Sequence, residues 1–187
     1  MARGRGLLST GLKASVALAL VLSLSACASW RNRNNDTPIE EMEAQPIFQQ
    51  AEAEMEAGNP DDAAALFLEV ERLHPYSEWA RRALIMATYA YHQDRDYENS
   101  RAAAQRYIDF YPTDEDAAYA QYLLALSYYD QIDEVGRDQG LTFQALQSLR
   151  TVIEVYPDSE YANSAILKFD LAFDHLAGKQ MEIARYS

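Results

Sequence analysis

The sequence predicts an all-α fold, a solenoid of helix pairs carried on a flexible, lipidated N-terminal tether. Three observations predict it. A motif of ring, Pro, any residue, Ser or Asp, Glu, any residue, Ala recurs at His74 to Ala80, Tyr111 to Ala117 and Tyr156 to Ala162. Counting back from each Pro gives one spacing of small and apolar residues, the mark of equivalent helices. An isolated apolar run near the N-terminus ends at the chain's one cysteine, Cys27. At 187 residues and 49% apolar content the chain has the length and the core for a single domain or a short repeat array.

Residues 1 to 26 carry Arg3, Arg5 and Lys13 and no acid, then an 11-residue apolar run from Ala14 to Leu24. That run is shorter than the roughly 20 residues a spanning helix needs, so it reads as a secretion signal. Leu24-Ser25-Ala26-Cys27 resembles the lipobox of bacterial lipoproteins, in which small residues admit the peptidase and the thiol takes a diacylglyceryl group as a thioether. The implied modification is diacylglycerol on the Cys27 sulfur and an N-acyl chain on its freed amine; no other cofactor is expected. Two or three chains together hold a protein stably on a bilayer where one does not. Ala28 follows the cysteine, where Asp would mark inner-membrane retention in enteric bacteria, and so points to the outer membrane.

Loss of the signal leaves 13 basic and 29 acidic residues in the mature chain, a net charge of -16. Such a chain repels phosphate backbones, which excludes nucleic acid, and gains nothing from anionic lipid, so the acyl chains do the holding. The polar stretch from residue 27 to 45 reads as a flexible tether spanning about 25 Å.

Residues 46–187 form the repeat domain, with repeats at about 46–78, 79–115 and 116–160 and a further helix beyond. Twelve residues before each Pro stand Ala63, Ser100 and Ala145; eight before, Phe67, Ala104 and Leu149; five before, Val70, Tyr107 and Val152. An apolar helix precedes each of these, over Ile47 to Ala57, Trp79 to Asp94 and Ala117 to Gln131. Between the two helices lie Gly58-Asn59-Pro60-Asp61, Arg95-Asp96-Tyr97 and Gly140-Leu141. Pro ends one helix, and the Ser or Asp two residues later is expected to cap the next.

These units resemble tetratricopeptide repeats, with Ala51, Gly58, Ala63 and Pro75 matching in the first, Thr88, Tyr91, Tyr97, Ser100 and Pro112 in the second, and Ala125, Tyr128, Gly140, Ala145 and Pro157 in the third. Their periods are 37 and 45 residues in place of 34; three extra residues follow each Pro, and Ile132 to Gln139 is inserted in the third. Glu54 stands where an aromatic is usual, Arg95 replaces Gly, and Ala104 with Tyr107 inverts the usual large-small order.

The lipobox, the polar tether, His-Pro-Tyr-Ser-Glu-Trp-Ala, Tyr107-Ile108-Asp109-Phe110-Tyr111-Pro112 and Val155 to Ala162, in that order, resemble the ComL/YfiO family of BamD lipoproteins. The resemblance covers the chain from Cys27 onward. It implies a non-catalytic scaffold subunit of the outer-membrane β-barrel assembly machinery, lipid-anchored at the periplasmic face. The partners it implies are the barrel-forming subunit, the machinery's other lipoproteins and the C-terminal segments of barrel precursors. That family continues for about two further helix pairs, so Ala184 to Ser187 is expected to lie inside the first helix of a truncated repeat. A periplasmic lipoprotein coordinating peptidoglycan or Tol-type processes is the alternative.

No enzyme is expected. Asp61-Asp62 and Asp114-Glu115-Asp116 sit at helix starts, where capping accounts for them, and Glu40-Glu41-Glu43 lies in the tether; paired acids of a glycosidase need opposite walls of a cleft. No second histidine stands at metal-site spacing from His92, and Cys27 is committed to lipid, so neither a metal centre nor a catalytic nucleophile is expected. In repeats of this kind, positions 2, 5, 9 and 12 of the first helix line a groove. These are Arg82, Ile85, Tyr89 and His92 in the second repeat and Tyr119, Tyr122, Leu126 and Tyr129 in the third. Each set forms one helix stripe, open to two readings: core packed against neighbouring helices, or a tyrosine-rich surface for an extended peptide.

Overall fold

The computed structural model describes residues 37–132 and 139–186. Cys27, the signal and the first part of the tether lie outside the described residues, as does most of the Ile132 to Gln139 insertion. After a short 3-10 turn at Ile39–Glu41, seven helices follow among the described residues: α1 (Ala44–Ala57), α2 (Pro60–Leu73), α3 (Glu78–Gln93), α4 (Tyr97–Phe110), α5 (Ala117–Tyr129), α6 (Gln139–Val155) and α7 (Ala162–Tyr186). All elements among the described residues are helical. The first helix begins at Ala44, inside the stretch read as tether, because Pro46 falls in its first turn, where the missing N–H has no intrahelical partner to lose.

From residue 43 onward each helix packs on the one before and the one after. The first helices α1, α3, α5 and α7 also touch one another in succession, while alternate second helices do so marginally at most. The array therefore bends toward the first-helix side, which is its inner face.

The packing template read from the sequence is the seam of each pair. Ala63 and Ala145, Phe67 and Leu149, and Val70 and Val152 are all fully buried, as are Ser100, Ala104 and Tyr107 in the middle repeat. The inverted order at Ala104 and Tyr107 has a physical reason. The Tyr107 hydroxyl donates to Asp114 Oδ1 at 2.6 Å, and Arg81 of α3 pairs with the other carboxylate oxygen. Tyr107 thus fills the seam and fastens it to the linker. Ser100, where the other pairs have Ala, donates to the Thr88 carbonyl at 3.0 Å and accepts from Ser127 Oγ at 3.0 Å, linking α3, α4 and α5 through buried hydroxyls.

The residue two places after each Pro does a different job in each linker. Ser77 is the N-cap of α3, accepting from the Ala80 amide at 3.2 Å. Asp114 instead accepts from the Asp116 amide, Tyr107 and Arg81, and Ser159 donates back to the Tyr156 carbonyl. The expectation of a cap at all three holds at Ser77 alone, since Asp114 is drawn off by two stronger partners. At the turn inside the first pair, Gly58 adopts φ 81° and the Asn59 amide reaches the Glu54 carbonyl, and the second pair turns in the same way. Arg95 takes the same left-handed conformation, φ 63°, with the Asp96 amide on the Tyr91 carbonyl. The motif survives without its glycine.

Candidate functional site

The predicted stripe lies on the inner face and is neither plain core nor plain surface. Ile85 is 7% exposed and belongs to a core cluster with Leu84, Ala103, Tyr107, Ala120 and Leu123, against which Tyr89, Tyr119 and Leu126 lean. Tyr122 and Tyr129 lean on a second cluster around Leu149 and Val152. Tyr89, His92, Tyr119, Tyr122, Leu126 and Tyr129 are all half-buried, one side on the core and the other toward solvent, and Arg82 is exposed. Tyrosine suits such a position because its ring packs while its hydroxyl stays wet. The same register continues onto α7 at Leu167 and Leu171, 66% and 61% exposed, which the sequence reading did not include.

At the first inter-repeat boundary, Phe48 of α1 meets Trp79 of α3 with ring centroids 5.0 Å apart. The Arg82 guanidinium lies over both, 5.2 Å from the Phe48 centroid and 5.1 Å from that of Trp79. No carboxylate among the described residues pairs with it. A guanidinium held on two aromatic faces and unpaired with any carboxylate of the described residues is available to an anionic group.

At the third boundary, Tyr161, just ahead of α7, stacks on both Tyr119 and Tyr122, with centroids 5.1 and 5.3 Å away and planes inclined by 29° and 25°. The Tyr122 hydroxyl shares a 2.6 Å hydrogen bond with Ser164 of α7. Burial, then the neighbouring Tyr89, Tyr161 and Asp116, push the Tyr119 hydroxyl up to about 12. Burial and the adjacent Glu160 and Asp116 carboxylates do the same to Tyr161. This end of the face is aromatic and electronegative. Tyr161 escaped the sequence reading because it precedes its helix, although it stands four residues after Pro157 as Trp79 does after Pro75.

His92 closes the stripe. Its Nε2 lies 3.2 Å from Asp130 Oδ2, without the geometry of a hydrogen bond, and its ring meets the edge of Tyr97 at 5.5 Å. Tyr129 carries the Lys168 ammonium over its ring at 4.9 Å. Among the described residues no three His, Cys, Asp or Glu side chains gather as metal ligands, and no helix is long and apolar enough to cross a membrane.

Fold and site together define a helix-pair repeat protein whose inner face offers a guanidinium with no carboxylate partner among the described residues, half-exposed tyrosines and exposed leucines. The family model described as "YfiO: Outer membrane lipoprotein" matches residues 40–187, and the chain belongs to that family. It is 41% identical over 175 residues to the outer membrane protein assembly factor BamD of Caulobacter vibrioides, covering 92% of this chain and 57% of that protein. It is 40% identical over 124 residues to the BamD of Rickettsia prowazekii, covering 66% and 49%, and 27% identical over 185 residues to that of Neisseria gonorrhoeae, covering 93% and 69%. The chain thus spans about half to three fifths of the length of the first two relatives.

Proposed function

We propose that the protein is a non-catalytic scaffold lipoprotein of outer-membrane β-barrel assembly, anchored at the periplasmic face by acyl chains on Cys27. Its partners are the barrel-forming subunit and the machinery's other lipoproteins. The observation that carries this reading is the family match through the whole repeat domain, joined to relatives named as outer membrane protein assembly factors. The site supports it in kind. Arg82, Ile85, Tyr89, His92, Tyr119, Tyr122, Leu126 and Tyr129 form a stripe suited to an extended peptide, as the C-terminal segment of a barrel precursor is. Apolar side chains settle on Leu126, rings on the tyrosines, and the terminal carboxylate on Arg82, while the buried Ile85 backs the stripe from the core.

The test is a pair of peptides carrying the C-terminal segment of an outer-membrane barrel, one a free acid and one an amide. Arg82→Glu weakens the free acid more than the amide, and Tyr122→Ala weakens both by about 2 kcal/mol with the fold retained. Equal losses of the two peptides in Arg82→Glu remove the carboxylate role. Unfolding of Tyr122→Ala returns the stripe to the core.

A further inference from the structure

We infer that the Tyr119, Tyr122 and Tyr161 cluster is a binding site for a guanidinium side chain of a bound polypeptide, one that the protein's own Arg82 imitates at the first inter-repeat boundary. The inference comes from the internal repeat. Phe48, Ile85 and Tyr122 occupy one register position of successive first helices; Trp79, Asp116 and Tyr161 occupy a second, and Arg82, Tyr119 and Ser164 a third. At the first boundary the aromatic pair of the first two positions, Phe48 and Trp79, is covered by the arginine of the third. Phe48 is thereby fully buried. At the third boundary the aromatic pair recurs as Tyr122 and Tyr161, with Tyr119 on the other contact of the Tyr161 ring. There the third position is Ser164, whose hydroxyl pairs with Tyr122 and which brings no charge. Tyr119, Tyr122 and Tyr161 all remain half-buried.

Among the described residues no cation stands over these three rings. Lys168, one turn beyond Ser164, is over Tyr129, and Arg150 is over Phe169. Two carboxylates lie beside the cluster: Asp116 acts on both the Tyr119 and Tyr161 hydroxyls, and Glu160 acts on Tyr161. Aromatic faces with two nearby carboxylates attract a cation, and a planar one gains most by stacking. A polypeptide is the source the surroundings favour, since the cluster continues into Leu126, Leu167 and Leu171 along the inner face, where neighbouring residues of an extended chain lie. Only this choice of source rests on the reading of the inner face as a peptide surface.

The experiment titrates the full chain, with its tyrosine rings labelled with 13C, using N-acetyl-arginine amide, its neutral isostere N-acetyl-citrulline amide, and choline. The arginine probe has no carboxylate and is one residue long, so its outcome is independent of whether the face takes a peptide or Arg82 a terminus. The expected result is saturable shifts of Tyr119, Tyr122 and Tyr161 with the arginine probe, at least about fivefold weaker with citrulline. In Ser164→Arg, which restores the arrangement of the first boundary, the probe's affinity falls by a similar factor while the helical spectrum is unchanged. Citrulline acting as well as arginine, or no response of the three rings, overturns the site. A stronger response to choline overturns the guanidinium and points to a lipid headgroup. Should Ser164→Arg unfold, Tyr161→Leu serves in its place, and a full arginine response in that variant is equally fatal.

Discussion

Replacing Asp114 with alanine tests how the second and third repeats are joined. Its carboxylate accepts from the fully buried Tyr107 at 2.6 Å and from the Asp116 amide at 3.1 Å, and pairs with Arg81 of α3. Without it the Tyr107 hydroxyl is stranded, at about 1–3 kcal/mol. The partly exposed Arg81 pair adds at most about 1 kcal/mol. Together Asp114→Ala loses about 1–4 kcal/mol, or roughly 2–16 °C in Tm for a domain of this size. Tyr107→Phe loses only about 1 kcal/mol, because Asp114 keeps its other two partners. The double variant costs less than the sum, since no hydroxyl is left to strand.

The interaction also carries a pH signature. Burial alone would raise the Asp114 carboxyl, but hydrogen bonds from Tyr107, the Asp116 amide and Arg81 outweigh it and hold the group below its ordinary value. A carboxyl depressed in the folded state stabilises fully above its unfolded pKa near 4 and loses that contribution as pH falls through the folded value. The gap between wild type and Asp114→Ala, read by urea unfolding followed at 222 nm, is therefore constant from about pH 5 to 8 and narrows below about pH 4. A variant within about 0.5 kcal/mol of wild type at pH 7, or a gap unchanged down to pH 3, refutes the reasoning.

Three further outcomes follow from particular residues. Cys27→Ser leaves no sulfur for a thioether, so the mutant takes up no labelled palmitate and partitions to the aqueous phase in detergent phase separation; incorporation in the mutant contradicts the anchor. Ala63 is fully buried where α1 and α2 approach, so Ala63→Leu overpacks the seam by about 1–3 kcal/mol, and an unchanged Tm contradicts the register. Arg95→Gly relieves a left-handed φ of 63° and gains up to about 1 kcal/mol; a loss of stability on denaturant unfolding means that the arginine side chain outweighs its backbone strain.

The fold was legible wherever one residue type meets one geometric demand. Small residues twelve before each Pro lie where two helices must approach, and all three are buried. Gly58 announced a left-handed turn, whereas Arg95 hid one, because a long charged residue gives no sign of its φ. The stripe on α3 and α5 was legible as a face, but its depth was not, since a 3.6-residue period is the same for a core and for a half-exposed wall. Tyr161 and the pairing of Arg82 with Phe48 and Trp79 depend on which boundary faces which, a property of the superhelix and not of any one helix. The Asp114 fastening was unreadable for the same reason: Arg81 lies 33 residues away in sequence, and its motif position suggested only a cap.

The measurement that bears most directly on the proposed role is co-purification of the lipidated protein from envelopes solubilised in mild detergent. The account predicts that a large integral β-barrel protein accompanies it in near-stoichiometric amount, and that barrel proteins fail to fold into the outer membrane when the protein is depleted. Recovery of peptidoglycan-bound or Tol-type partners without a barrel, with outer-membrane barrels folding normally on depletion, would contradict it.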